Sequence, residues 1–207
     1  EEGFEHLMDY KKEFGDCLVR GHLKYCDYNL GGWVQTQRHR KAQLADEKIN
    51  RLDDLGFVWN PHIYQWEKGF EHLMDYKKEF GDCFVKNKSQ YHGYRLGGWV
   101  SEQRIGKQNL TPDRFSRLED LGFVWNPHIY QWEEGFQYLL AYKDEFGDCL
   151  VRDKSQYCDY NLGTWVTFQR ISKDKLTPQL ISRLDGIGFV WDPIKSQWEE
   201  GFQYLVA

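Results

Sequence analysis

No run of about 18 apolar residues occurs in the sequence, so no segment is predicted to span a membrane. No secretory or transit-type leader is recognisable either. The five cysteines are an odd number without a CxxC spacing, which disfavours a full disulfide framework and leaves too few ligands for a metal site. We therefore expect an intracellular protein without a metal ion or a cofactor.

Two cysteine pairs could still form, Cys17 with Cys26 and Cys149 with Cys158. The equivalent position in the middle of the chain is His92, so such a disulfide would be dispensable for the fold. We expect the thiols to be reduced.

The sequence also lacks the signature of an enzyme. Residues 97–107, GGWVSEQRIGK, contain glycines and a lysine, but not at the GxxxxGK spacing of a phosphate-binding loop. The seven histidines are scattered, and no Ser/His/Asp or Cys/His grouping recurs at a fixed spacing. We expect neither catalysis nor a small-molecule substrate.

Aromatic residues, in contrast, are abundant and regularly placed. The sequence is 41% hydrophobic and 17% aromatic, which is typical of a globular protein. Its nine tryptophans form three series with a 66-residue spacing: Trp33, Trp99, Trp165; Trp59, Trp125, Trp191; and Trp66, Trp132, Trp198. This self-similarity indicates a repeat architecture.

We predict an all-α protein, a tandem array of three-helix bundle modules with a 66-residue period. The predicted modules are residues 1–60, 61–126 and 127–192, followed by the first helix of a truncated fourth module at 193–207. Because a module of this size is marginal as a free-standing fold, we expect the tryptophans to lie in cores and linkers. The loop tyrosines are likewise expected to cap the cores.

The helical pattern is clearest in the second module. Trp66, Phe70 and Leu73 form the apolar stripe of a first helix, and Gly81 is a stop signal. A polar stretch without periodicity follows and is predicted to be a loop. A second, short helix is predicted around Trp99.

The third helix of this module carries an N-terminal cap signal, Thr111 followed by Pro112, and Gly122 is its expected C-cap. The first module has no threonine at this position, so Asp46 is expected to take over the capping role. Asn60-Pro61 and its equivalents predict turns that open packed linkers of about six residues.

Each copy reads roughly W-x3-F-x2-L-x2-Y-x3-F-G, a loop, L-G-x-W-V-x2-Q-R, and a helix ending in L-G-F-x-W. This pattern resembles the helicase-associated domain, which occurs in tandem after some bacterial helicase motors. The resemblance covers nearly the whole sequence and implies a three-helix bundle with a role in nucleic-acid binding. No helicase motor is present in the sequence.

Charge is unevenly distributed along each module, although the net charge is −5. Residues 20–51, 86–117 and 152–183 carry net charges of +4, +5 and +3, and the remaining residues carry −17. The basic half comprises the loop, the second helix and the start of the third. Its candidate nucleic-acid-binding residues are Gln37, Arg38, Arg40, Lys41, Lys86, Lys88, Arg95, Gln103, Arg104, Lys107, Gln169, Arg170 and Lys173.

Two functions fit this pattern. Lys and Arg bind phosphates, and Gln and Arg can read base edges, so we favour a nucleic-acid-binding array with DNA as its partner. The alternative is a protein–protein scaffold in which the basic residues form a solvated face or pair with neighbouring acidic residues. The location of Arg38, Arg104 and Arg170 is expected to distinguish these functions.

Overall fold

A computed structural model describes residues 1–196 together with Trp198 and Phe202. The described residues are all-α, as predicted, and their only β-type pairing is three isolated bridges in the loops. The α-helices are α1 Glu2–Phe14, α2 Leu30–His39, α3 Asp46–Asp54, α4 Pro61–Phe80, α5 Leu96–Ile105, α6 Pro112–Asp120, α7 Pro127–Phe146, α8 Leu162–Ile171 and α9 Pro178–Gly186. A short 3-10 turn separates the second and third helices of each module: Lys41–Gln43, Lys107–Asn109 and Lys173–Lys175.

The chain forms two compact units, of which the first is Glu1–Phe123 and the second begins at Val124. Residues 193–196 are helical, but most of the helix predicted at 193–207 lies outside the described residues. No helix in the described part of the chain is long and apolar enough to cross a membrane.

The linkers predicted after each third helix are the first turns of the next helix. The Oδ1 atom of Asn60 accepts hydrogen bonds from the backbone N–H groups of His62 and Ile63, at 3.0 and 3.1 Å. Pro61 occupies the first helical position, where its lack of an N–H costs nothing. The Asn-Pro signal therefore starts α4 directly, and the expectation of a separate linker was wrong.

The capping signals were correct in the second module and wrong in the first. The Thr111 side chain accepts from the N–H of Arg114 at 3.3 Å, and Gly81 ends α4 in the left-handed conformation, with φ 87°. The N-cap of α3 is Ala45, which has no side-chain hydrogen bond, while Asp46 is already helical. Gly122 lies one residue beyond the C-cap of α6.

Each module has one core to which all three helices contribute. In the first module Leu7, Leu30 and Leu52, one from each helix, are buried together with Phe57 and Val58. The third module repeats this cluster around its own three leucines. Burying a leucine stabilises a fold by roughly 1.5–3 kcal/mol, so the leucines and the aromatic residues around them account for the cohesion of a module.

The first and second helices of a module pack closely because a glycine faces a tryptophan. A Cβ on Gly69 would overlap the indole of Trp99, and Gly3 and Gly135 face Trp33 and Trp165 in the same way.

The core or linker role predicted for the tryptophans is confirmed for all except Trp198. Eight are buried or half-buried, whereas Trp198 is 67% exposed and several of its chain neighbours lie outside the described residues.

All five cysteines are free thiols. Cys17, Cys83 and Cys149 are buried in the cores, whereas Cys26 and Cys158 are exposed in the loops. The Cys83 Sγ lies 3.4 Å from the carbonyl oxygen of Leu121, to which Lys77 also donates a hydrogen bond. Burial raises the pKa of the Cys83 thiol to about 11.

Candidate nucleic-acid interface

Two of the glutamines expected to contact nucleic acid are buried between helices. The Oε1 atom of Gln169 accepts a hydrogen bond from the indole N–H of Trp132 at 3.0 Å, and its Nε2 donates to the carbonyl of Trp165 at 3.2 Å. Gln169 is only 2% exposed. In the second module Gln103 makes the equivalent bonds, at 2.9 and 3.3 Å.

A buried amide with both ends bonded cannot reach a base edge unless the helices separate. We therefore leave Gln103 and Gln169 out of the contact surface. Gln37 is half-buried and donates one long hydrogen bond, 3.4 Å, to the carbonyl of Trp33.

The arginines of the predicted site are also part of the fold. The Nε atoms of Arg38 and Arg170 donate to the carbonyls of Val58 and Val190, at 2.8 and 2.9 Å. Each guanidinium also lies over a phenylalanine of its own module, at 5.7 Å for Arg38 and 5.6 Å for Arg170. These contacts clamp the second helix to the segment that follows the third helix.

Arg104 is placed in the same way, with its guanidinium 5.6 Å from the ring centre of Phe123. Burial lowers the pKa of Arg38, Arg104 and Arg170 from its ordinary value. Arg38 and Arg170 contact backbone carbonyls and rings instead of the carboxylates predicted as one alternative from the sequence. The three arginines are half-buried, so their main role is structural. At these three positions the structure favours the scaffold alternative, and a nucleic-acid contact has to come from other cations.

The remaining cations of the predicted site lie on the surface. The exposed ones are Arg40, Lys41, Lys86, Lys88, Arg95, Lys107 and Lys173. Lys41 and Lys173 extend over the rings of Trp59 and Trp191, at 4.4 and 4.5 Å, an arrangement that orders the side chain and leaves its charge in solvent.

These cations lie at the two ends of the second helix of each module. In the second module the loop packs against the start of α5, because the N–H of Gly97 donates to the carbonyl of Ser89 at 3.0 Å. Lys86 and Lys88 are therefore held at one end of α5, while Lys107 follows its other end. Ten residues of α-helix, about 15 Å, separate the two groups.

Further exposed cations near the ends of the second helices were not included in the predicted site. They are Arg20 and Lys24 in the first module and Arg152, Lys154 and Lys175 in the third. The 66-residue register could have identified several of them, since Lys86 has Arg20 and Arg152 as its equivalents.

One arginine of each third helix, in contrast, is paired with a glutamate in, or directly before, the first helix. Arg117 forms a two-pronged ion pair with Glu67, at 2.8 and 2.6 Å, and Arg183 pairs with Glu133 at 2.7 and 2.8 Å. These hydrogen bonds lower the pKa of Glu67 and of Glu133. In the first module, Arg51 pairs with Glu1.

The lysines and the arginine of the loop of the second module are not paired in this way within the described residues. Within the described part of the chain, no carboxylate lies at ion-pair distance from Lys86, Lys88 or Arg95. Among the described residues of this module, the exposed charges of Lys86, Lys88 and Arg95 are thus concentrated at the start of its second helix.

The loop tyrosines cap the core edge, as predicted. The hydroxyl of Tyr91 donates to Oε2 of Glu79 at 2.8 Å, which raises the pKa of Tyr91 to about 12. Tyr94 stacks on His72 with a centroid distance of 4.4 Å. These contacts fix the loop that carries Lys86 and Lys88.

Comparison with known proteins gives one match. The sequence model of a family described as Helicase associated domain matches three consecutive stretches, residues 1–60, 64–126 and 130–192. No curated protein and no solved structure matches the chain.

Proposed function

Because the chain belongs to the helicase-associated domain family, we propose that it is a non-enzymatic tandem-repeat protein that binds nucleic acid, DNA in preference to RNA. The exposed cations at the two ends of the second helix of each module make the contacts. One observation carries this proposal: an arginine of each third helix is paired with a glutamate in, or directly before, the first helix, whereas Lys86, Lys88 and Arg95 are exposed and have no carboxylate at ion-pair distance among the described residues.

The chemistry of these residues fits phosphate binding. A lysine neutralises a phosphate as a point charge and releases a condensed counterion, and it needs no fixed geometry to do so. The loop is nevertheless ordered, since the Tyr91–Glu79 hydrogen bond and the Tyr94–His72 stack hold it in place. Binding therefore requires little further ordering of the backbone.

The burial of Gln103 and Gln169 makes base reading a minor part of this function. Phosphate contacts position a protein on nucleic acid without carrying sequence information. We therefore expect weak sequence preference along a duplex. Because the contacts recur in successive modules, simultaneous binding raises the overall affinity above that of one module.

A matched pair of charge reversals tests this proposal. Lys86→Glu/Lys88→Glu removes two unpaired cations, and Lys12→Glu/Lys78→Glu makes the same change in net charge where each lysine already faces an aspartate, at 3.0 and 3.3 Å. Affinities for fluorescent single- and double-stranded DNA and RNA are measured by anisotropy at about 50 and about 200 mM salt.

We expect the loop variant to lose at least about tenfold in affinity and the slope of log K against log salt to fall by about two. The control variant is expected to bind nearly as well as the parent protein. Equal losses in both variants would show a response to net charge alone, and a parent protein without affinity at the lower salt concentration would contradict the proposal.

A protein–protein scaffold is the second candidate, and exposed apolar side chains favour it. Ile105 and Ile171, at equivalent positions on α5 and α8, are 87% and 80% exposed. Isolated exposed hydrophobic residues are ordinary, but recurrence at one position suits a protein contact. Ile105→Gln/Ile171→Gln would weaken such a contact, whereas nucleic-acid affinity is expected to be unchanged.

A further inference from the structure

A pocket opens within the first compact unit, where the loop of the first module faces α4 and α5. Its volume is about 360 Å³, within the range of small-ligand sites in proteins. Leu18 lines the pocket on the side of the first module, and Gln65 and Lys68 line it from α4. The pocket is half open to solvent, so a group attached to a larger molecule can enter it.

The wall formed by the second module is aromatic and rigid. Tyr94 and Trp99 line the pocket. The ring of Tyr94 is held by its stack on His72, and the indole of Trp99 is held against Gly69. Fixed aromatic rings beside an aliphatic side chain suit a planar, partly apolar group.

Two cationic side chains, those of Arg95 and Lys68, line this pocket. Arg95 is exposed and lies at ion-pair distance from no carboxylate in the described part of the chain. Lys68 forms a long ion pair with Asp16, with an Nζ–Oδ2 distance of 3.8 Å and no hydrogen bond. Arg95 is therefore available to an anionic group of a ligand, and Lys68 can share its charge between that group and Asp16.

Two further polar groups distinguish this pocket from a simple anion site. Glu102 and Gln65 line it, and a carboxylate can only accept hydrogen bonds. Glu102 lines the same pocket as Tyr94. A ligand must therefore combine an anion, a planar ring and a hydrogen-bond donor.

We propose that this pocket holds one unpaired nucleotide of a bound single strand, with its phosphate on Lys68 and Arg95 and its base against Tyr94 and Trp99. Glu102 accepts a hydrogen bond from the exocyclic amino group of the base. The inference rests on the proposed function and adds a substrate class to it, since a base can enter only when it is unpaired.

Glu102 gives the site a base preference. Cytosine offers an amino donor at C4, where thymine and uracil offer a carbonyl oxygen that the carboxylate repels. Cytosine is therefore bound more tightly than thymine. The first and third modules have Thr36 and Phe168 at this position, so the preference belongs to the second module.

Gly98 makes a direct test possible because it forms part of the pocket lining on α5. A Cβ added to Gly98 would meet no atom within 4 Å, so the backbone has room for Gly98→Thr, which adds bulk to the pocket lining. The third module already carries Thr164 at the equivalent position of α8. Gly186, a helical glycine of α9 with equally open surroundings, supplies the control Gly186→Thr.

The experiment measures affinities of the full chain for short oligo(dC) and oligo(dT) by anisotropy, and for dCMP by NMR titration. We expect oligo(dC) to bind about tenfold more tightly than oligo(dT), and Glu102→Thr to abolish that difference. Gly98→Thr and Arg95→Ala are each expected to lower oligo(dC) affinity about tenfold. Gly186→Thr is expected to leave the affinity unchanged, and all four variants to keep the parent melting temperature.

The outcomes separate the two proposals. If the parent protein binds DNA with the expected salt dependence, but equally for dC and dT and regardless of Gly98→Thr, the pocket inference is overturned and the proposed function stands. If dCMP shifts the signals of Glu102 and Arg95 while no oligonucleotide binds, the nucleotide site stands and the array function is overturned. Absence of binding by dCMP and by every oligonucleotide overturns both.

Discussion

Buried glutamine connects the first and second helices of the second and third modules. In the third module, Gln169 uses its oxygen for the indole N–H of Trp132 and its nitrogen for the carbonyl of Trp165. A buried polar side chain is tolerated when its groups are bonded, and it becomes costly when a partner is removed. The residue thus fixes the spacing between α7 and α8.

Gln169→Ala leaves the indole N–H of Trp132 buried without this partner. We expect the free energy of unfolding of the third module to fall by about 2–3 kcal/mol, measured by urea denaturation. Gln37→Ala is the matched control, because Gln37 is half-buried and makes only the 3.4 Å bond to Trp33. An equal loss in both variants would contradict the assigned role of the Trp132–Gln169 bond.

For individual side chains, the sequence correctly predicted the burial of apolar residues but wrongly predicted the exposure of some polar ones. The 66-residue tryptophan series predicted burial because indole rings are large and apolar. The Gln-Arg pairs looked like surface contacts because both residue types usually are exposed. Their partners, such as Trp66 for Gln103, are 37 residues away, and only helix packing reveals such a contact.

The third helices of the first and second modules differ at their N-terminal ends. The third helices begin at backbone positions of nearly identical conformation, φ −67° and ψ 145° at Ala45 and φ −64° and ψ 151° at Thr111. Only the threonine supplies a side-chain acceptor to the first turn. The first module therefore has a weaker N-terminus on its third helix, although its chain path is the same.

Ala45→Thr should stabilise the first module by about 1 kcal/mol, since the new hydroxyl can accept a hydrogen bond from the N–H groups in the first turn of α3. Thr111→Ala should destabilise the second module by a similar amount. Both changes are read from urea midpoints at an unchanged m-value. A destabilising Ala45→Thr would show that the backbone match is insufficient for capping.

The order of the elements was predictable from the sequence because Gly, Pro and Thr are placed at helix ends for local steric reasons. Asn60-Pro61 was misread because an Asn-Pro pair signals a turn as well as a helix start. The two bonds that Asn60 accepts select the second possibility. The exposed lysines at the ends of α5 could be predicted as charges, but the pocket beside them could not, since it requires two modules in contact.

The whole molecule repeats one ion pair in each described module, between its first and third helices. Arg117 lowers the pKa of Glu67 below 4.5, and Arg183 does the same to Glu133. A carboxyl group whose pKa is lower in the folded state than in the unfolded state stabilises the fold at pH values above its unfolded-state pKa. That stabilisation is lost as the pH falls below 4.5 and through the pKa of the carboxyl group in the folded state.

We therefore expect the melting temperature to fall between about pH 5 and pH 3. Glu67→Gln/Glu133→Gln should reduce the steepness of this fall, because the variant has no carboxylate to protonate at either pair. The measurement is differential scanning calorimetry across that pH range. An acid profile identical to that of the parent protein would show that these half-exposed pairs contribute nothing measurable.

The buried and exposed thiols allow the local unfolding of each module to be measured by alkylation. Cys17, Cys83 and Cys149 lie one in each core, whereas Cys26 and Cys158 are exposed. An alkylating reagent modifies the exposed pair at once and reaches a core thiol only when its module opens. Peptide mass analysis of the slowly labelled cysteines would then report the opening free energy of each module separately, in the intact chain.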